Sequence, residues 1–173
     1  MGFKIELRKL WADISAILKN KKQKIWICGH SLGGAMATLC ASRLEELEPT
    51  LYTYGSPRVG GREWRDGCDV EHYRFVNNND IVTAVPLWLM GYRHHGIVRY
   101  IDYYGRIKRL TFGQKVKDQM LGRWKAMKKF QLFDGIYDHD IAGGYADKLQ
   151  ALWFEGREKI RKKANVGHDR KNG

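Results

Sequence analysis

Residues 25–34 read IWICGHSLGG, an apolar run that leads directly into a glycine-rich turn. The run is long enough only for a short buried strand. The small residues after the turn open a segment predicted to be helical from Ala35 to Leu47, which Pro49 ends. A Gly-x-Ser-x-Gly pattern between a strand and a helix is typical of a nucleophile elbow, a sharp turn that raises a serine hydroxyl above the sheet. The pattern therefore predicts Ser31 as a nucleophile.

The elbow is formed by Gly29, His30 and Gly33 around the serine, and its residue types have a steric reason. We expect any side chain at Gly29 or Gly33 to clash with neighbouring backbone. The helix that follows presents free N–H groups and the positive end of its dipole, so we predict that the backbone N–H of Leu32 donates to an oxyanion. The competing interpretation is a phosphate-binding turn, but no lysine follows the glycines as it does in a P-loop.

Strands and helices alternate along the chain. Strands are predicted at 25–28, 51–54 and 72–76, a hairpin at 97–102 and 106–111, a short helical piece around Trp64, and longer helices at 3–19, 114–130 and 140–163. This order predicts an α/β fold with a mostly parallel central sheet flanked by helices, in which sites lie at the carboxyl ends of the strands. We expect a single domain over residues 1–173, with 164–173 as a loose basic tail.

A serine hydroxyl is a weak nucleophile unless a histidine base, itself held by a carboxylate, activates it. In folds with this elbow the acid and then the base follow the serine along the chain. Asp80 is the preferred acid because it follows a predicted strand inside a polar loop. His139 is the preferred base because it stands at a junction between a loop and a helix, while His94 and His95 stay open. His72 begins a predicted strand and is expected to be structural or exposed.

The formal net charge is +12, and the basic excess lies outside residues 25–98 and 130–150, which hold the candidate site residues. Such an excess of basic residues favours binding to an anionic surface or simply increases solubility. The apolar stripe in 114–131, flanked by lysines and arginines, fits either a core-packing helix or one that lies at an anionic membrane or lipid interface. No nucleic-acid-binding motif is present, so no specific nucleic acid partner is expected.

Cysteine spacing and apolar run lengths exclude several classes of protein. Three cysteines without a C-x-x-C spacing predict neither a disulfide framework nor a structural zinc site. No stretch approaches the roughly 20 apolar residues of a membrane-spanning helix, and the first residues show no signal-peptide pattern.

Several motifs together resemble the class 3 (fungal-type) lipase family of α/β-hydrolases. They are ICGHSLGGAMA (27–37), YGSPRVG (54–60), FVNNNDIV (75–82) with Pro86, His95-x-Gly, and Asp138-His139 with Tyr145. The resemblance implies a serine ester hydrolase with Ser31 as nucleophile, Asp80 as acid and His139 as base, acting on a lipid or small ester without metal or cofactor. It also implies a structural or pocket-lining role for His95. The turn YGSPR (54–58) is expected to be packing only.

Members of this family normally carry a further N-terminal section with early strands, a lid helix and a loop that supplies a second oxyanion donor. The resemblance therefore implies a truncated α/β-hydrolase with a missing N-terminal segment and Leu32 as its one oxyanion donor. A phospholipase or acyltransferase that uses the same triad is an alternative function, and an inactive fragment that binds lipid or nucleic acid is another. The apolar side chains after Asp80 either line an acyl pocket or belong to ordinary core or a surface turn; they are Val82, Val85, Leu87, Trp88, Leu89 and Met90.

Overall fold

A five-stranded sheet forms the centre of the fold in this computed structural model, which describes residues 2–18, 22–78, 80–102, 104–108 and 139–169. Its strands are β1 (Trp26–His30), β2 (Thr50–Tyr54), β3 (Glu71–Asn77), β4 (Ile97–Ile101) and β5 (Ile107–Lys108). They lie side by side in chain order, and β1 to β4 are parallel while β5 pairs with β4 in antiparallel fashion. The α-helices are α1 (Gly2–Leu18), α2 (Ser31–Arg43), α3 (Arg62–Asp66) and α4 (Asp147–Asp169). The predicted α/β class, with its mostly parallel sheet, hairpin and final helix, is confirmed.

Small residues allow α2 to lie close against the sheet. Ala37 and Ala41 pack against Leu51 of β2 in one buried cluster, and Ala41 has no exposed surface. On its other side α2 packs against α1, where Leu7 is only 2% exposed. Full burial of one leucine side chain stabilises the fold by about 1.5–3 kcal/mol. This layering fixes the N-terminus of α2 directly above the carboxyl end of β1.

The strand and the helix of the elbow meet without a loop between them. β1 continues to His30 and α2 begins at Ser31, although the sequence predicted a turn over residues 29–34. The change of direction is concentrated in Ser31, whose φ of 54° lies in the left-handed region. α2 ends at Arg43, earlier than predicted, and a 3₁₀ turn at Glu45–Leu47 completes the segment before Pro49.

The last part of the chain differs from the prediction at both of its ends. A π-helical turn at Ile141–Ala146 precedes α4, and Asp140 caps this turn by accepting a hydrogen bond from the backbone N–H of Gly143 at 2.8 Å. Gly143 and Gly144 are thus both part of this turn. α4 continues to Asp169, so the predicted loose tail is helical as far as that residue. The predicted helix over 114–130 and the end of the hairpin at 109–111 lie outside the described residues.

Among the described helices, none combines the length and the apolar character that crossing a membrane requires.

Candidate active site

The elbow places Ser31 in a conformation that few residues other than glycine adopt. Its positive φ costs of order 1–3 kcal/mol and persists because the surrounding strand and helix impose it. Gly29 is essential to the turn, since a Cβ there would lie 2.3 Å from the carbonyl oxygen of Gly33. The expected clash at Gly33 is wrong, because a Cβ there would meet nothing within 4 Å. Gly34 is the second crowded position, where a Cβ would lie 2.8 Å from Cβ of Ser56.

Three side chains that are remote in sequence meet above the carboxyl end of the sheet. The Oγ of Ser31 lies 2.8 Å from Nε2 of His139. The other ring nitrogen of His139, Nδ1, lies 3.0 Å and 3.1 Å from the two carboxylate oxygens of Asp80. When Nδ1 carries the proton and donates a hydrogen bond to the carboxylate, Nε2 is left as an acceptor for the serine hydroxyl. The structure thus brings together the three residues singled out in the sequence.

The carboxylate of Asp80 is buried and fully engaged. Its Oδ1 accepts a hydrogen bond from the backbone N–H of Val82 at 2.9 Å, and its Oδ2 accepts one from the hydroxyl of Tyr145 at 2.6 Å. The Tyr145 hydroxyl in turn accepts a bond from the backbone N–H of Asn77 at 3.0 Å. The resemblance included Tyr145 without a role, and the π-helical turn brings its hydroxyl to the acid. These bonds hold the carboxylate in one orientation toward His139.

Gly55, directly after β2, packs against the side chains of Asp80 and His139. Its φ is +58°, and a Cβ built on it would lie 2.7 Å from Oδ2 of Asp80 and 3.0 Å from Nδ1 of His139. This turn was expected to have a packing role only, and its contact with Asp80 and His139 was not predicted. The one available signal was the glycine itself, because a glycine at a strand end often marks a close approach of backbone to another group.

His30 contacts both the backbone and the ring of His139. Its Nε2 donates to the backbone carbonyl of His139 at 2.7 Å, and the centres of the two rings are 4.7 Å apart. The ring of Tyr145 stands edge-on to His30 at 5.7 Å. The backbone and the ring of His139 are therefore both in contact with the residue that precedes Ser31 in the elbow.

The remaining candidate histidines have other partners. Nε2 of His94, the second choice for the base, donates to the carbonyl of Thr83 at 2.7 Å. His72 is buried at 3% exposure, with Nε2 2.8 Å from Oγ1 of Thr53. The ring of His95 stacks on that of His72 at 5.5 Å. His72 and His95 thus contribute to packing.

Burial gives His72 and His94 a strong preference for the neutral form. Desolvation, reinforced by the positive charges of nearby groups, lowers the pKa of each imidazole to about 3, against an ordinary value of 6.5. The unfolded chain therefore binds more protons than the folded one between pH 6.5 and pH 3. Stability contributed by these two groups is complete above pH 6.5 and is lost as the pH falls toward 3.

Acidification should consequently destabilise the protein through these two histidines. We expect the free energy of unfolding, measured by urea titration, to fall between pH 6.5 and pH 4 by up to about 1.4 kcal/mol per pH unit for each of them. His94→Gln keeps an N–H donor for the carbonyl of Thr83 and cannot titrate, so its slope should be shallower by that amount. Identical slopes for the wild type and His94→Gln would contradict the prediction.

The oxyanion donor predicted from the elbow lies in the first turn of α2. Leu32 is the second residue of that helix, where a backbone N–H has no acceptor within the helix. No group of three or more His, Cys, Asp or Glu side chains suited to a metal ion occurs within the described ranges.

Five of the six apolar residues expected to line an acyl pocket are exposed, and Val82 is half-buried. Trp88, Leu89 and Met90 are 59%, 73% and 66% exposed, so they do not form an enclosed acyl pocket. A cavity of about 720 Å³ is lined by residues that include Leu39, Val59, Trp64, Pro86 and Met90. Of the six residues that were expected to line an acyl pocket, Met90 borders this cavity.

Comparison with known proteins assigns the chain to a family. The family described as Lipase (class 3) matches residues 4–90, which is half of the chain. The chain belongs to the class 3 lipase family. In a crystal structure of lipase from Rhizopus microsporus var. chinensis, the alignment covers 58% of this chain and 40% of that one, with 30% identity and a TM-score of 0.55. The α/β-hydrolase fold expected from the motifs is therefore confirmed.

Two curated relatives of this lipase-family chain extend the comparison. Secreted mono- and diacylglycerol lipase 1 of Fusarium solani is 34% identical over 106 residues, which are 53% of this chain and 32% of that protein. Toxin TseL of Vibrio cholerae is 43% identical over 76 residues, which are 40% of this chain and 12% of that protein. The chain thus spans less than half the length of each protein it was compared with here.

Proposed function

We propose that the protein is a carboxylic ester hydrolase of the lipase type that acts through an acyl-enzyme on Ser31. The observation that carries this proposal is the unbroken path of hydrogen bonds from Oγ of Ser31 through His139 to the buried carboxylate of Asp80. The family membership and the names of the fungal relatives support acyl esters of glycerol as the substrate class.

In the first half of the reaction, Nε2 of His139 takes the proton of the Ser31 hydroxyl as Oγ attacks the ester carbonyl carbon. Asp80 holds the ring in the tautomer that leaves Nε2 free to accept, and its negative charge stabilises the imidazolium that forms. The C–O bond to the alcohol then breaks, and His139 returns the proton to the leaving alkoxide oxygen. An acyl group stays bound to Oγ as an ester.

In the second half, water replaces the alcohol and the same groups act again. His139 accepts a proton from the water as its oxygen attacks the acyl carbon, and it returns that proton to Oγ as the carboxylic acid leaves. In both halves the backbone N–H of Leu32 supports the negative charge on the former carbonyl oxygen. Each oxyanion donor of this kind contributes about 10²–10³ in turnover.

The test is covalent labelling with a fluorophosphonate ester, which requires an activated serine. We expect one label per molecule, and mass analysis of the digested protein should locate it on Ser31. The Ser31→Ala variant serves as control and should take no label, while hydrolysis of a soluble short-chain ester should be lost with it. Failure of the folded wild type to react, or a label on another residue, would refute the proposal.

A further inference from the structure

Arg74 is a charged residue in the central strand of the sheet. It lies in β3, and its register partners are Thr53 of β2 and Val98 of β4, so the strand is flanked on both sides. Central strands of a parallel sheet are typically apolar, because other elements cover both of their faces. A charge at such a position is favourable only when another group hydrogen-bonds to it and balances it.

Arg74 lacks a partner of this kind among the described residues. Its Nε atom is shielded from solvent and has no hydrogen-bond partner there. None of the ion pairs formed by the described residues includes Arg74. Asp80, the first acid after β3, is already engaged by His139 and by two other donors. A shielded donor left without an acceptor is unfavourable, and more so on a charged group.

A second arginine adds to the unbalanced positive charge around Arg74. Burial, and after it the positive charge of Arg58, lowers the pKa of Arg74 to about 10, whereas Tyr145 acts in the opposite direction. The guanidinium of Arg58 donates to the carbonyl of Pro86 at 2.8 Å, and no ion pair of the described residues includes Arg58. The two guanidinium groups therefore repel each other, and the described residues pair neither of them with a carboxylate.

The position of the unsatisfied donor indicates which ligand fits Arg74. Nε–H and one Nη–H of a guanidinium lie side by side in one plane, and they match the two oxygens of a carboxylate. A monatomic anion has the charge but not the second acceptor atom. Arg74 as a whole is half-buried, so solvent reaches part of its side chain although it does not reach Nε. The ligand that fits is therefore a small carboxylate that enters along the accessible part of the side chain.

We propose that Arg74 binds a small organic carboxylate, whose two oxygens accept hydrogen bonds from Nε and from the adjacent Nη. The ligand satisfies the shielded donor and balances its charge, and the positive charge of Arg58 adds to the attraction. Arg74 has no part in the proposed reaction at Ser31, so this site goes beyond the proposed function and does not depend on it. Because the site exists only in the folded chain, the bound carboxylate stabilises the fold.

The first test follows thermal unfolding of the full chain while sodium acetate replaces sodium chloride at constant ionic strength. We expect Tm to rise by at least about 3 °C when about 100 mM chloride is replaced, which corresponds to a Kd for acetate of about 10 mM or less. Arg74→Met should remove this rise. Arg62→Met is the matched control, because Arg62 is exposed in α3, and it should respond to acetate like the wild type. An equal Tm of the wild type in both salts, or a rise that survives in Arg74→Met, would overturn the proposal.

The second test uses the wild type alone, so it stands even where Arg74→Met does not fold. The Nε–H signal of Arg74 is recorded in the ¹H–¹⁵N spectrum of the labelled chain and assigned through the carbons of its own side chain. Acetate should move this signal downfield and saturably, because a charge-assisted hydrogen bond forms on a donor that had no acceptor. Chloride at equal ionic strength should leave it in place. A signal that acetate does not move, or that chloride moves equally, would refute carboxylate binding at Arg74.

Discussion

Asp80→Asn should lower kcat for a soluble ester by about 10⁴-fold while leaving KM nearly unchanged. In the wild type, the carboxylate accepts a hydrogen bond from Nδ1–H of His139 at 3.0 Å, which leaves Nε2 as an acceptor facing the Ser31 hydroxyl. An asparagine amide can donate to Nδ1 instead, which would move the ring proton to Nε2 and remove the base. The amide also lacks the negative charge that stabilises the imidazolium in the transition state. Steady-state kinetics on the folded variant gives both constants.

Tyr145→Phe distinguishes loss of the Asp80 carboxylate from loss of a hydrogen bond that holds it in place. This variant removes the 2.6 Å bond to Oδ2 and keeps the charge and the bond from Val82 to Oδ1. Because the tautomer of His139 is preserved, we expect a loss of about tenfold or less. A loss in Tyr145→Phe as large as that in Asp80→Asn would contradict the explanation through the tautomer.

Gly55→Ala should reduce kcat/KM by at least about 10²-fold, although the residue has no functional group. The added methyl would lie 2.7 Å from Oδ2 of Asp80, closer than a carbon can approach without displacing its neighbour, and 3.0 Å from Nδ1 of His139, a contact that requires a smaller shift. Displacement of a catalytic group by about 1 Å can cost 10²-fold. Kinetics with a soluble ester, together with a fluorophosphonate labelling rate, should show the same loss.

Gly105→Ala is the control for the backbone. Its φ of +74° imposes the same kind of conformational strain as the +58° of Gly55, but the nearest atom to its Cβ would be Cγ of Lys148 at 3.8 Å. Both variants should therefore unfold at lower temperature, and only Gly55→Ala should lose activity. Normal activity in Gly55→Ala, or an equal loss in Gly105→Ala, would show that the contact with the triad is unimportant.

The elbow shows which steric requirements a local sequence pattern can predict. The requirement for glycine at position 29 depends on atoms of residues 29 to 34, so it follows from the spacing of the motif. The same reasoning placed the second crowded position at Gly33, whereas the crowding falls on Gly34. The neighbour that crowds Gly34 is Ser56, which follows β2 in the chain. The contact between the two residues depends on how α2 packs over the sheet.

Contacts between distant parts of the chain depended on the register of the strands. Gly55 lies beside His139 because β2 pairs with β1 and β3 in one parallel register, which carries the end of β2 under the base. Tyr145 reaches Asp80 across a separation of 65 residues, through a π-helical turn where the sequence indicated an ordinary helix start. The periodicity of apolar residues carries no information on either placement.

By itself the sequence determined the alternation of strands and helices and the elbow around Ser31, and it singled out Asp80 and His139. These features depend on side-chain size, backbone freedom and hydrophobic period within a few neighbouring residues. The tertiary structure alone decided the 2.8 Å approach of His139 to Ser31, the contact of Gly55 with Asp80 and His139, and the exposure of Trp88 and Leu89. Those properties arise when segments up to 108 residues apart pack against each other, and packing is a property of the whole folded chain.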